Sequence, residues 1–482
     1  MQRKSQSQTT TAQSPSPAAT TLGELRASDH QFRGVKEEIR QNLLARLRAG
    51  EDPFPGIIGF GQTVLPHLER AIIAGHDVIL LGERGQGKTR LIRTLTGLLD
   101  EWTPAIAGCE INDHPFAPTC ARCRRLLAEQ GDNLPVTWRH RDDRYGEKLA
   151  TPDTSVGDLI GDIDPVKVAE GRTLGDPETI HYGLVPRTNR GIFCLNELPD
   201  LAERIQVALL NVLEERDIGV RGYALRLPLD VVLVASANPE DYTNRGRIIT
   251  PLKDRFGAEI RTHYPVSLDA ELALIRQEAQ VAWDGQEPGA VLPEHLVQVI
   301  ARFTRLVRAS PAADARSGVS ARFAIAAAEA VAASAVRRAA ITGEAQPVAR
   351  VCDLPAIVST LRGKVEFEVS EEGREQEVLD HLLRRSIAET FRTALGSADL
   401  SGLLARFAEG GSVETGDLVP ADDLLRRIGD VPGLARIMDR LSMDGSESFG
   451  QAAAALEFAL EGLYLMRRLS KDAVDGGAVY RT

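Results

Sequence analysis

The chain has 482 residues, a formal net charge of −11, 26% charged and 5% aromatic residues, and five cysteines. That length accommodates two or three domains with substantial cores. The acidic balance excludes a general attraction to nucleic acid; so few cysteines exclude a disulfide scaffold and fit a reducing, cytoplasmic setting; and no apolar run approaches the ~18 residues of a membrane span.

Residues 1–28 are rich in Ser, Thr, Gln, Pro and Ala and read as a disordered leader. An α/β nucleotide-binding domain is expected over 29–265. It opens with one helix over 30–50, on which Phe32, Val35, Ile39, Leu43 and Leu47 share a face. A second helix follows from Val64 to Ala74. Asp77 to Leu81 is a short apolar run that reads as a buried strand. It leads into GERGQGKT at Gly82–Thr89, then into residues with helical spacing. This string fits G-x-x-x-x-G-K-[ST] in the strand–loop–helix context that the motif requires. Gly82, Gly85 and Gly87 let backbone N–H groups close around phosphate oxygens without Cβ clashes. Lys88 reaches the β- and γ-phosphates, and the Thr89 hydroxyl is a Mg²⁺ ligand. Gly82, Glu83, Arg84, Gly85, Gln86, Gly87, Lys88, Thr89 and Arg90 are therefore the candidate ATP-binding residues.

Residues 105–130 form a Cys-containing insertion. Cys120-x-x-Cys123 has metal-knuckle spacing, with Cys109 and His114 close by, and these four are a candidate tetrahedral Zn²⁺ site. Leu134 to Arg139 reads as the second strand. Residues 140–190 lose apolar periodicity and read as loops around a short helix. Gly191 to Glu197, GIFCLNE, is four apolar residues ending in two polar ones at the end of a strand, where open α/β sheets bind ligands. P-loop ATPases usually carry Asp-Glu here. Glu197 can orient or deprotonate the attacking water. Asn196 departs from that pattern and contacts Mg²⁺ without a charge, which favours slow or partner-dependent hydrolysis. A helix spans Leu201 to Glu215, followed by a hairpin with arms near 217–220 and 223–227. Val231 to Asn238 is another buried strand ending in a polar residue, placing Asn238 near the γ-phosphate or the attacking water. Pro251 to Phe256 precedes a last strand over 258–264. Strands separated by helices imply a parallel, doubly wound sheet.

From Ser267 the pattern is helical and Ala-rich. Ser267 is a candidate cap for a helix to about Val281, and further helices are expected over 293–309 and 319–340. Residues 266–348 read as a helical lid and 349–482 as a mainly helical C-terminal region.

The ordered strings GERGQGKT, RGIFCLNELPDL, ALLNVLEER, VASANPEDYTNRG, PLKDRFG and SGVSARFAIA resemble the AAA+ ATPases. Within them the chain is most similar to the magnesium chelatase I-subunit and MoxR branch, over roughly residues 55–340. The resemblance implies a P-loop AAA+ fold with Lys88 and Thr89 as Walker A, Asn196 and Glu197 as Walker B, and Asn238 as sensor 1. It further implies Arg255 as an arginine finger reaching a neighbouring subunit, and Arg322 as sensor 2 on the lid. A finger acting in trans implies a homo-oligomeric ring, expected to be a hexamer. The chain lacks the GAFTGA string of enhancer-binding ATPases. The resemblance further implies a separate von Willebrand A domain protein as the expected partner. Three functions follow: an ATP- and Mg²⁺-dependent remodelling motor, the motor of a porphyrin magnesium chelatase, or a nucleotide-sensing module with little turnover.

Overall fold

The computed structural model describes residues 14, 16–169, 179–214, 227–238, 247–282, 289–314, 318–408, 410–443, 448–474 and 476–481. The chain divides into two units, Met1–Gly82 with Gly87–Thr262, and Glu83–Gln86 with His263–Thr482.

The first unit is built on five parallel strands: β1 (Val78–Leu81), β2 (Tyr145–Leu149), β3 (Gly191–Asn196), β4 (Val231–Ala237) and β5 (Ala258–Arg261). Their order in the sheet is β2-β3-β4-β1-β5. β1, β3 and β4 are buried along their whole length, because helices cover both faces. The side-chain alternation divides that burial. Val78, Leu80, Ile192, Cys194, Val232 and Val234 face a core with the helices Val35–Ala49, Val64–Ile73 and Lys88–Thr94. Ile79, Leu81, Phe193, Leu195, Leu233 and Ala235 face a second core with the helix Glu203–Glu214.

Several expectations are corrected. The second strand of the sheet is not Leu134–Arg139. Residues Val136–His140 are extended, but they pair antiparallel with Trp102–Ile106 outside the main sheet. The strand beside β3 is Tyr145–Leu149, within the stretch read as loops. It is an edge strand whose residues are partly exposed, so Glu147 and Lys148 break any apolar pattern. The leader is ordered before residue 28. Leu22–Ala27 is a helix with a Thr21/Glu24 capping box, its Leu22 and Leu25 fully buried. On the helix Val35–Ala49, Val35, Ile39 and Leu43 are buried, whereas Phe32 is 47% and Leu47 38% exposed. Of the hairpin arms near 217–220 and 223–227, all but Leu227 lie outside the described residues.

In the second unit, one apolar cluster runs from Leu272 to Tyr480. It crosses residue 348, so the expected lid and C-terminal region share a core. The helix Ala321–Thr342 buries Ala324, Ala327, Ala328, Ala332 and Ala335 in it, small side chains that let neighbouring helices approach closely. A three-stranded antiparallel sheet of Val413–Gly416, Gly477–Arg481 and Ser470–Val474 joins the C-terminal helices.

A buried ion pair anchors β2 and β3 of the first unit. The Arg144 guanidinium donates to both Glu38 carboxylate oxygens at 2.7 Å, and its Nε donates to the Arg190 carbonyl at 2.8 Å. Both partners are buried. Removing one of them strands a charge, whereas removing both does not. Arg144→Met is therefore expected to lower stability by about 3–5 kcal/mol, and Glu38→Leu/Arg144→Met by much less. Guanidinium chloride unfolding of the two variants checks this; equal losses would rule out the stranded charge as the cause.

Candidate functional site

The C-terminal ends of β1, β3 and β4 carry the polar residues that the central strands otherwise exclude. Lys88, only 6% exposed, opens the helix after β1. Its ammonium donates to the Gly82 carbonyl and, at 2.7 Å, to Asn238 Oδ1. Asn238 follows β4 and is 2% exposed. Its Nδ2 donates to Glu197 Oε2 at 2.6 Å. Lys88, Asn238 and Glu197 thus form one hydrogen-bonded line. Glu197 has left-handed backbone with φ 55°, held by its N–H on Ser236 Oγ at 3.3 Å. A non-glycine residue in this region carries strain of about 1–2 kcal/mol, and such residues concentrate at functional sites.

Asn196 forms a second line. Its Oδ1 accepts from Ser236 Oγ at 3.0 Å and from Thr89 Oγ1 at 3.5 Å. Its Nδ2 donates to Glu147 Oε1 at 2.7 Å. A carboxylate only accepts hydrogen bonds, so Glu147 fixes which end of the amide faces Thr89. Glu147 is itself held by Arg93 Nε and NH2 at 3.0 and 3.2 Å and by the Tyr145 hydroxyl at 3.0 Å. Glu147 was not foreseen from the sequence, because Glu-Lys in an edge strand carries no signal beyond exposure. Yet it places a negative charge next to Asn196, at the position where Asn departs from the usual Asp.

The donor set fits Mg²⁺ and phosphate. Thr89 Oγ1 and Asn196 Oδ1 are hard oxygens directed at each other, with the Glu147 charge behind them. Gly85 and Gly87 have φ 71° and 78°, conformations that bring backbone N–H groups together. An added Cβ on Gly85 would lie 1.8 Å from Ser320 Oγ, in the unit to which Glu83–Gln86 belong. In the same unit, the Arg84 carbonyl accepts from the Tyr264 hydroxyl at 2.8 Å.

The chain is similar to several known proteins. A family profile described as the sigma-54 interaction domain matches residues 173–255. The magnesium-chelatase subunit ChlI of Nostoc sp. is 30% identical over 239 residues, covering 47% of this chain and 59% of the relative. The magnesium-chelatase 38 kDa subunit of Cereibacter sphaeroides is 28% identical over 236 residues, covering 46% and 62%. Over about half its length the chain is similar to AAA+ proteins of the magnesium chelatase I-subunit branch. It spans about three fifths of the length of these relatives. A solved complex described as subunits BchI and BchD of magnesium chelatase is similar at 20% identity, covering 68% of this chain and 98% of that one, with a TM-score of 0.35. That score is too low to carry an argument.

Arg255 and Arg322 are the two other expected site residues. Arg255 ends the helix Thr250–Arg255 and does not join the Lys88–Asn238–Glu197 line. Its guanidinium donates to Glu214 Oε2 from Nε at 3.0 Å and NH2 at 2.9 Å, and to the Pro251 carbonyl at 3.2 Å. Arg322 lies in the second unit, in the first turn of Ala321–Thr342, exposed, with its backbone N–H on Ser320 Oγ at 3.1 Å. Of the cysteine-rich quartet, Cys109, Cys120 and Cys123 come together and His114 does not. Nε2 of His114 is 3.0 Å from His30 Nε2, and its Nδ1 accepts from the Phe116 N–H at 3.0 Å. Burial and then Arg190 push its pKa down to about 2, so it stays neutral. The residue that joins the three thiols is Asp113.

If Glu147 supplies the charge at the metal position, Glu147→Gln is expected to weaken ATP binding about tenfold with Mg²⁺, ~1.4 kcal/mol, and not at all in chelator. Glu147→Gln/Asn196→Asp returns the charge and is expected to restore the affinity. Titration of a fluorescent ATP analogue checks both; an equal loss with and without Mg²⁺ would reject the assignment.

Proposed function

We propose that this chain hydrolyses ATP with Mg²⁺ as a ring-forming AAA+ motor and uses the cycle to remodel a separate protein partner. The observation that carries the reading is the line from Lys88 through Asn238 to Glu197, with Thr89 and Asn196 alongside. Lys88 and the loop amides would bind the phosphates, while Thr89 and Asn196 orient Mg²⁺. Glu197 would take the proton of the attacking water. Asn238 holds the Glu197 carboxylate in place and would sense the terminal phosphate.

Arg255 would act in trans. Its present partner Glu214 is half exposed, and such a pair contributes about 0–1 kcal/mol, so the guanidinium can transfer to a neighbouring subunit's phosphate at small cost. A finger that reaches outward requires a head-to-tail interface that closes, and a hexamer is the proposed assembly. Kinship with magnesium-chelatase subunits supports a partner-directed role, and a von Willebrand A domain protein, as for MoxR-type motors, is the proposed client. Arg322 is proposed as sensor 2. Asn196 favours a second reading, in which the protein binds ATP and assembles but barely turns it over.

The test is ATP turnover per chain as protein concentration rises. The motor reading expects turnover to climb, Glu197→Gln to reduce it by about 10²–10⁴-fold with ATP binding retained, and Arg255→Ala to reduce it by about 10³-fold. Mixing Arg255→Ala with Lys88→Ala chains is expected to recover activity, because each supplies what the other's shared site lacks. Flat, negligible turnover with clear binding would select the second reading.

A further inference from the structure

The Cys-containing insertion carries a cluster that the nucleotide chemistry does not use. The Sγ atoms of Cys109, Cys120 and Cys123 and a carboxylate oxygen of Asp113 all lie within 4.8 Å of one another. Tetrahedral Zn²⁺ with Zn–S bonds of about 2.3 Å places its sulfurs about 3.8 Å apart, so the cluster reaches the size of the site by contracting by no more than about 1 Å. Cys120, Cys123 and Asp113 are buried, and Cys109 is half-buried.

The backbone is already arranged for thiolates. The Asp113 N–H donates to Cys109 Sγ at 3.3 Å, and the Cys123 N–H donates to Cys120 Sγ at 3.3 Å. Such N–H to sulfur bonds neutralise part of the charge that thiolate ligands bring, and they orient the sulfurs as outer-shell partners do in metal centres. Asp113 is fixed independently. Its Oδ2 accepts from the Thr119 and Cys120 N–H groups at 3.0 and 2.8 Å, and its Oδ1 accepts from Thr119 Oγ1 at 2.5 Å. Each carboxylate oxygen has two acceptor positions, so Oδ1 retains one for a cation.

We propose that Cys109, Cys120, Cys123 and Asp113 bind one structural Zn²⁺ ion. Three soft thiolates with one carboxylate in a closed, tetrahedral-sized cluster select Zn²⁺ over Mg²⁺ or Ca²⁺. All four positions are filled by protein, so the site is structural rather than catalytic. Its place in the fold says what it braces. Asn112, between Cys109 and Asp113, donates from Nδ2 to the Arg187 carbonyl at 2.7 Å, and Asn189 Nδ2 donates to the Ile111 carbonyl at 3.0 Å. The Arg190 guanidinium reaches the Pro104 carbonyl at 2.6 Å. Residues 187–190 lead directly into β3, the strand that delivers Asn196 and Glu197. The ion therefore clips the turn against which that strand is set.

The experiment is metal analysis of the full chain purified without chelator or added metal. The expected result is one zinc per chain, with cobalt replacement giving thiolate-to-cobalt charge-transfer bands and tetrahedral d–d bands. Cys109→Ser, Cys120→Ser and Cys123→Ser are each expected to lose the zinc, and Asp113→Asn to shift the cobalt d–d bands. His114→Ala is expected to keep one zinc. A wild-type chain with no zinc and all thiols titratable, or with the mass deficit of a disulfide between two of the three cysteines, would overturn the proposal. Since the wild type decides, a variant that fails to fold does not obscure the answer. The metal result is also independent of ATP turnover.

Discussion

A buried ammonium at the end of a hydrophobic sheet is the constraint on which the site depends. Lys88 is set where three fully buried strands end, and a charge there must meet acceptors or the local fold pays heavily in desolvation. The Gly82 carbonyl and Asn238 supply them. Asn238 can present its oxygen to Lys88 only by presenting its nitrogen elsewhere, and that nitrogen is bound by Glu197. One buried charge thereby orients the amide, and the amide orients the carboxylate proposed to face the reacting water. No member of this line can be replaced without changing the polarity seen by the next, which is why such networks respond as a unit.

The same logic explains Asn196. An Asp at that position would place its own charge beside Thr89. Here the amide faces Thr89 with its oxygen and turns its nitrogen to Glu147, so the charge is displaced one side chain outward, onto a neighbouring strand. Arg93 compensates that charge from the helix that begins with Lys88. The proposed metal position would thus be served by a polarised amide backed by a carboxylate, with weaker direct attraction than a bound carboxylate gives.

Much of this was legible in the sequence, and for a physical reason. Central strands buried on both faces must be continuous apolar runs, so Val78–Leu81, Gly191–Asn196 and Val231–Ala237 stood out, and the polar residues at their ends stood out with them. The glycine spacing of the phosphate loop is demanded by backbone geometry that few other residues accept. What was not legible lacks such a demand. The edge strand Tyr145–Leu149 is half solvated, so its sequence is free to look like a loop, and Glu147 was lost with it. The helix Leu22–Ala27 carries a readable Thr21/Glu24 capping box, but the composition of its surroundings masked it. His114 and Asp113 are adjacent in sequence, and only the turn between Cys109 and Cys120 decides which of them faces the thiols. Spacing alone favoured the better-known zinc ligand.

The distribution of ion pairs separates the parts of the molecule built to hold from the part proposed to move. Arg144 with Glu38 in the first unit, and Arg338 with Asp353 and Arg308 with Glu271 in the second, are enclosed pairs whose rupture strands a charge. Arg308 also stacks on the Tyr264 ring, 4.4 Å from its centroid, which fixes the start of its unit. Arg255 differs in kind. It sits at the end of a short helix, half-buried, against a Glu214 side chain that is 52% exposed. Exchange of that carboxylate for a phosphate of higher charge in a neighbouring subunit would cost little and return a stronger, bidentate contact. Arg276, Arg385 and Arg426 sit in comparably exposed pairs, so the weak hold on Arg255 permits the proposed role across a subunit interface, and its place at the end of the helix Thr250–Arg255 is what singles it out.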